Sequence, residues 1–358
     1  MTLIENQNKF SRLLLKWNKE KNKRAMPWKG EKNPYKIWLS EIILQQTRVE
    51  QGLDYYNNFL KKFPDINKLS KAPDNKVFKM WEGLGYYTRC RNLIATARFI
   101  AKEKKGKFPD NYEEILSLKG IGPYTAAAIS SFAFNLPHAV VDGNVYRVLA
   151  RIFGIKKPVD STQGKKHFND LANELLDKNQ PGLYNQAIMD FGAIICKPAS
   201  PLCKECVFNK TCFAFLNNKI DELPVKEKRI VRRHRWFYYL ILECNDEIYI
   251  RQRAGKDIWH HLHEFILFEE KKMIPKNSIL KYLEKENSAY AKFEISDLFI
   301  QHLSHQQINA FFISQKIKQK PSDSEEGFWV KKNKLRQFAF PVVIRNFLNS
   351  RKINQLKY

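Results

Sequence analysis

Acidic residues are scarce in this chain: 37 Asp and Glu stand against 62 Lys and Arg in 358 residues, a formal net charge of +25. That deficit argues against a surface that repels polyanions and predicts salt-sensitive attraction to nucleic acid. Long apolar runs are missing too, so no bilayer-spanning helix is expected. The N-terminus "MTLIENQNKF" lacks the basic-then-apolar layout of a secretion signal. A cytoplasmic protein without membrane contact is therefore expected, in a compartment where thiols stay reduced. Internal repeats and low-complexity tracts are absent. Cysteine is sparse, with six in all, yet Cys196, Cys203, Cys206 and Cys212 fall within seventeen residues. The isolated Cys90 and Cys244 are expected to be buried thiols acting as small hydrophobes.

What is present divides in two by texture, and the length itself favours more than one domain. Residues 1–216 read as helix after helix, over 3–20, 35–47, 50–62, 74–81, 88–104, 111–117, 123–134, 142–153, 164–177 and 182–195. The stretch 217–235 is polar and basic without helical periodicity, and reads as a linker. Beyond it, "WFYYLILEC" and "EIYIRQR" are aromatic, β-branched runs separated by "NDE", a hairpin signal. "HEFILFE", "FFISQKI" and "GFWVKK" continue the strand texture, while "SILKYLEKENSAY" and "VVIRNFLN" read as helices. An α+β domain over 236–350 is expected.

Three features carry chemistry. "CKPASPLCKECVFNKTC" spaces its thiols as Cys-x6-Cys-x2-Cys-x5-Cys, short enough to converge on one metal centre, zinc or iron–sulfur by ligand type alone. "LKGIGPYTAAAI" places Gly120 and Gly122 in a tight turn between two helices, with free N–H groups at the following helix N-terminus, suited to a phosphate. In "HAVVDGNVYRVLAR", Asp142 precedes a helix and is at minimum an N-cap. A fourth oddity is Glu41 in the apolar helix "YKIWLSEIILQQTRVE", sharing a face with Trp38 and Leu44. A carboxylate there is costly unless it is paired, for instance with Arg91, or protonated.

These motifs, in this order, together with "PWKGEKNPYKIWLSEIILQQTRVE", "WEGLGYYTRCRNL" and "NQAIMDFGAIIC", resemble the adenine DNA glycosylases of the MutY type, within the helix–hairpin–helix DNA glycosylase superfamily. The resemblance runs over nearly the whole chain. It implies an all-α helix–hairpin–helix glycosylase domain of two lobes, with a six-helix lobe near 27–135 and a cluster lobe from 1–26 and 136–216. It also implies a [4Fe–4S] cluster on the four cysteines and a C-terminal Nudix-like α+β domain. The expected partner is double-stranded DNA carrying adenine opposite 8-oxoguanine or guanine, bound by a monomer.

The chemistry agrees with the resemblance. Adenine leaves badly as an anion, so an acid must protonate it, while the oxocarbenium-like sugar needs a negative charge nearby. Glu41, its pKa raised by apolar surroundings, is expected to be the acid; Asp142 is expected to stay ionised beside the sugar. Relatives that also cut the backbone carry a Lys after the hairpin proline, where this chain has Tyr124, so base excision without efficient strand cleavage is expected. By resemblance, Gln46 and Tyr86 enter the duplex near the orphan base, and Trp28, Leu44, Arg24 and Gln186 line the adenine pocket. Without that role, Tyr86 would simply pack beneath its turn.

In the second domain, "FIQHLSH" sets Ser304 and His305 where the family reads the oxidised guanine, although Leu303 replaces the family's Phe, and Gln301 is followed by a displaced His302. The plainer alternative is a surface turn. The acidic helix that holds magnesium in catalytic Nudix hydrolases is missing from the sequence 263–350, which disfavours a nucleotide pyrophosphatase. A pyrimidine mismatch glycosylase and a non-catalytic lesion binder are the other rivals. The long C-terminal domain speaks against the first, the Glu41 and Asp142 pair against the second.

Overall fold

The computed structural model describes residues 3–227, 232–255, 257–279, 293–321 and 326–351, with 3–8 by their backbone. Twelve helices come first among the described residues: α1 (Leu3–Lys21), α2 (Pro34–Leu44), α3 (Val49–Lys62), α4 (Ile66–Ser70), α5 (Asp74–Trp81), α6 (Tyr87–Glu103), α7 (Tyr112–Ser117), α8 (Pro123–Phe134), α9 (Gly143–Phe153), α10 (Thr162–Leu175), α11 (Pro181–Ile194) and α12 (Phe213–Leu216). The short α4 and α12 escaped the sequence reading, since five and four residues are too few to establish a period. No described helix is long and apolar enough to cross a membrane.

The structure separates into two compact units: residues 1–71 with 92–229, and residues 72–91 with 230–358. The boundary differs from the expected one, because the α5 segment lies within the helical stretch of the sequence yet groups with the second unit.

In the helical unit, α2 is largely buried: Tyr35, Ile37, Trp38, Leu39, Ser40, Glu41, Ile42 and Ile43 are all buried, while Lys36 reaches solvent. Asn33 caps it by accepting from the Tyr35 and Lys36 amides, and Pro34 opens its first turn. It stops at Leu44 and not at 47, because Gln46 takes a left-handed φ of 55°. A second core joins α1 to α9, α10 and α11: Phe10, Leu14 and Trp17 pack with Val148, Leu149, Phe168, Tyr184, Ile188 and Phe191. The expected linker is corrected here. Leu223 is buried in this same core, Ile220 and Val225 pack on it, and the Val159 amide donates to the Val225 carbonyl at 3.0 Å. Hydrophobic residues at irregular spacing leave no helical or strand period, which is why that stretch reads as a linker.

Among the described residues, the second unit is built on one eight-stranded mixed sheet. Its strands are β1 (Arg233–Cys244), β2 (Glu247–Gln252), β3 (His263–Glu264), β4 (Ile266–Glu270), β5 (Phe293–Ile295), β6 (Phe299–His302), β7 (Gln306–Lys316) and β8 (Gly327–Lys331), followed by α13 (Val342–Ser350). Strands β1 and β7 pair in parallel from Arg233↔Gln306 to Glu243↔Lys316; every other pairing is antiparallel. β1 thus begins inside the expected linker. The single run "HEFILFE" splits into β3 and β4, and β5 was not anticipated. Of the helix expected over "SILKYLEKENSAY", residues 276–279 are helical and 280–290 lie outside the described residues.

Candidate active site

Glu41 sits on the largely buried α2, and burial pushes its carboxyl up to about 7, with a hydrogen bond to Tyr124 pulling it down and the charge of Asp142 adding to the rise. Among the described residues no cation forms an ion pair with it. Arg91, the cation weighed as its partner, donates to the Thr88 hydroxyl at 2.6 Å and the His260 carbonyl at 3.2 Å. Tyr124, in the first turn of α8, places its hydroxyl on Glu41 and 3.8 Å from the Met189 sulfur. Burial, with Glu41 and Asp142 nearby, lifts the phenol well above its ordinary value.

Asp142 is the N-cap of α9: Oδ1 accepts the Asn144 and Val145 amides at 2.9 and 2.8 Å, and Oδ2 accepts the Asn144 side-chain amide at 2.8 Å. The sequence suggested a carboxylate that stays ionised. Burial instead raises its pKa, and the cap bonds and Arg147 oppose that rise without cancelling it. The charge of Asp142 thus bears on both Glu41 and Tyr124.

Glu41, Trp28 and Gln186 line one pocket of about 240 Å³ with Ile37, Phe132 and Leu183. Arg24 and Leu44 are not among its lining residues. Leu44 packs at the end of α2, where a Cβ on Gly52 would come within 2.7 Å of its Cδ2. Arg24 instead reaches Asp190, a fully buried residue that the sequence reading missed. Asp190 accepts from Arg24 at 2.9 Å, Lys29 at 3.0 Å, Asn22 at 2.9 Å and Gln186 at 3.2 Å. It ties the segment carrying Trp28 to the α11 face carrying Gln186. Asn185, likewise buried, accepts the Val140 amide at 3.0 Å and donates to the His138 carbonyl at 2.8 Å, fixing the approach to Asp142.

The hairpin between α7 and α8 turns through Gly120, whose φ is 82° and whose Cβ would lie 2.6 Å from Asn92. Gly122 caps α8 with open space where its Cβ would stand. Gln46 is exposed on its left-handed turn. All of these belong to the helical unit.

Cys196, Cys203, Cys206 and Cys212 line one cavity with Arg151, Phe191, Leu202 and Phe215. No group of three His, Cys, Asp or Glu among the described residues is placed to hold a single metal ion. Arg151 holds the loop by donating to the carbonyls of Lys197, Pro198, Ile220 and Leu223, and lies 3.7 Å from the Cys196 sulfur. Arg147, one turn earlier, donates to the Cys196 carbonyl at 2.7 Å and to Asn144 at 2.8 Å.

In the sheet unit, Tyr86 takes a left-handed φ of 48° and is 38 % exposed, so it does not pack beneath its turn. Its hydroxyl hydrogen-bonds Ser304. Ser304 and His305 are exposed in the β6–β7 turn, and Gln301, where the expected imidazole was displaced, accepts the Val343 amide at 2.9 Å.

A helical unit with a Gly-x-Gly hairpin, a capped aspartate and a four-cysteine loop is the frame of a base-excision glycosylase, and the comparisons agree. Residues 39–175 match the HhH-GPD superfamily base excision DNA repair protein family, and residues 237–350 match the NUDIX domain family. The structure of a thermostable thymine-DNA glycosylase aligns with a TM-score of 0.55 and 30% identity, covering 60% of this chain and 98% of that one. The adenine DNA glycosylase of Buchnera aphidicola subsp. Baizongia pistaciae (strain Bp) is 37% identical over 302 residues, 83% of each chain. That of Buchnera aphidicola subsp. Schizaphis graminum (strain Sg) is 30% identical over 95% of this chain and 97% of its own. The chain belongs to the adenine DNA glycosylase family.

Proposed function

We propose that this DNA glycosylase binds duplex DNA and hydrolyses the N-glycosidic bond of adenine mispaired with 8-oxoguanine or guanine, leaving an abasic site. The observation that carries this reading is Glu41: a carboxyl with a pKa near 7, without an ion-pair partner among the described residues, opening onto a pocket lined by Trp28 and Gln186. A group poised there is protonated often enough to give its proton to a departing purine, the requirement of general acid catalysis. Asp142, with three hydrogen bonds on its carboxylate, supplies negative charge to the oxocarbenium-like sugar, and water completes the hydrolysis. Tyr124 orients Glu41 and offers no amine, so no Schiff base forms at that position and the strand stays intact.

The target base must leave the stack. Gln46 and Tyr86, both on left-handed backbone that costs about 1–3 kcal/mol, are suited to enter the gap. Gly120 and Gly122 let phosphate approach the hairpin. Ser304 and His305 offer a hydroxyl and an imidazole to the Hoogsteen edge of the orphan base. The four cysteines fit a [4Fe–4S] cluster, since four thiolates spaced Cys-x6-Cys-x2-Cys-x5-Cys line one cavity. The cluster's contribution would be to cross-link the basic loop; iron with sulfide, and not zinc, is the metal analysis expected.

The test is single-turnover cleavage of labelled duplexes with adenine opposite 8-oxoguanine, guanine or thymine, and of a G·T duplex labelled on the thymine strand, read with and without alkali. Release at the first two only, with strand breaks appearing after alkali, supports the reading. Breaks without alkali would overturn the intact strand. Failure to release adenine, with thymine released from a G·T duplex, would favour the activity named for the thymine-DNA glycosylase of similar fold.

A further inference from the structure

Residues 72–91 group with the sheet unit although the sequence embeds them among helices. Beside the Arg91 bond to the His260 carbonyl and the packing of Phe78 on His261, they are fastened by Glu82, the residue after α5, only 7% exposed. One carboxylate oxygen accepts the Phe340 amide at 2.8 Å; the other meets Lys79 at 2.7 Å and Arg345 at 3.7 Å. Lys79 also donates to the Phe338 carbonyl at 3.1 Å. Four residues beyond Glu82 stands Tyr86. The link between them is stiff: Trp81 Nε1 donates to the Gly85 carbonyl at 3.0 Å, and the Arg89 guanidinium lies over the rings of Trp81 and Tyr86 at 5.3 and 5.4 Å.

The partner of Tyr86 is tied to the same place. Ser304 sits on the β6–β7 turn, and that hairpin is held by Gln301 accepting the Val343 amide at the start of α13. Arg345, which meets Glu82, is two residues further along α13. The first turn of α13 thus holds both the Tyr86 turn, through Glu82, and the Ser304 turn, through Gln301.

We propose that Glu82 is a positioning residue that sets the Tyr86–Ser304 spacing and thereby the preference for an oxidised over a normal orphan guanine. This rests on the function proposed above. Glu82 touches no substrate. It acts by holding two hydroxyls at a separation that one base edge can bridge, a requirement that adenine protonation at Glu41 does not share.

The test compares single-turnover rates on A·8-oxoguanine and A·G for the full chain, for Glu82→Ala, Glu82→Gln and Ser304→Ala, and for the Glu82→Ala/Ser304→Ala double variant. Glu82→Ala is expected to cut the ratio of the two rates by about tenfold. Glu82→Gln keeps most of the ratio, because its carboxamide oxygen still accepts the Phe340 amide. The double variant falls no further than the worse single one, as residues acting through one contact do. A ratio within twofold of the parent in Glu82→Ala, an equal fall on both duplexes, or multiplying effects in the double variant would each overturn the proposal. If Glu82→Ala does not fold, Arg345→Ala replaces it, with a smaller drop in the same direction and the same non-additivity with Ser304→Ala; no drop there overturns the proposal too. A parent protein that releases no adenine defeats the proposed function itself and is read before any variant; a parent that releases it equally from both duplexes leaves that function standing and overturns the role of Glu82.

Discussion

Glu41 and Asp190 are both carboxylates on apolar helices of the same unit, and the protein treats them in opposite ways. Asp190 is fully buried and surrounded by donors, two of them cations, so its charge is wanted and matched. Glu41 is nearly as deep, has Tyr124 as its hydrogen-bond partner, faces a second carboxylate, and is left with a pKa near 7. A buried carboxyl that is paired serves as a tie; one that is left to repel its neighbour becomes a proton source.

The contrast can be broken most sharply at Glu41. Glu41→Gln removes the proton and is expected to slow adenine release by about 10²–10⁴-fold, measured in single turnover with duplex binding retained. The same substitution should raise stability at high pH. The folded-state pKa of Glu41 lies above its ordinary 4.5, so the parent protein's share of stability is full below that value and lost as pH rises through about 7. The gap between Glu41→Gln and parent is then expected to widen by roughly 3 kcal/mol between pH 4 and 8, read from urea unfolding at each pH. At Asp190 the sign reverses. Asp190→Asn strands Arg24 and Lys29, which are 29% and 27% exposed, and should cost about 2 kcal/mol, discounted from a fully buried pair. If Asp190→Asn proves neutral, the charge match is not what separates the two sites. The smallest effect belongs to Tyr124→Phe. Its hydroxyl pulls the Glu41 pKa down, so the loss of activity with rising pH should move to higher pH, by less than about one unit; a shift downward would mean the phenol acts on Glu41 in some other way.

Much of this was legible in the chain. Helix positions followed from apolar spacing, the sheet from aromatic and β-branched runs, and Glu41 from being charged where its neighbours are not. The same rule applied to "YNQAIMDFGAI" would have found Asn185 and Asp190, which hid behind the motif that contains them. What sequence could not supply was long-range grouping. Nothing local in "DNKVFKMWEGLGYY" says that it packs with residues around Phe340, and nothing in a stretch of basic residues says that Leu223 is core. The direction of the Asp142 pKa was hidden for a related reason: the cap is local, whereas the burial that outweighs it is tertiary.

The Glu82–Phe340 hydrogen bond spans 258 residues of chain. A ribosome adding about 5–20 residues per second needs roughly 10–50 s to make that length. During synthesis the Tyr86 turn therefore emerges long before the surface that will hold it, and its apolar α5 face must wait unpaired. An emerging chain arrested before Phe338 would carry its helices and most of its sheet and still leave the Glu82 carboxylate without its backbone donor and Lys79 without its carbonyl, an attachment open to proteases until synthesis ends.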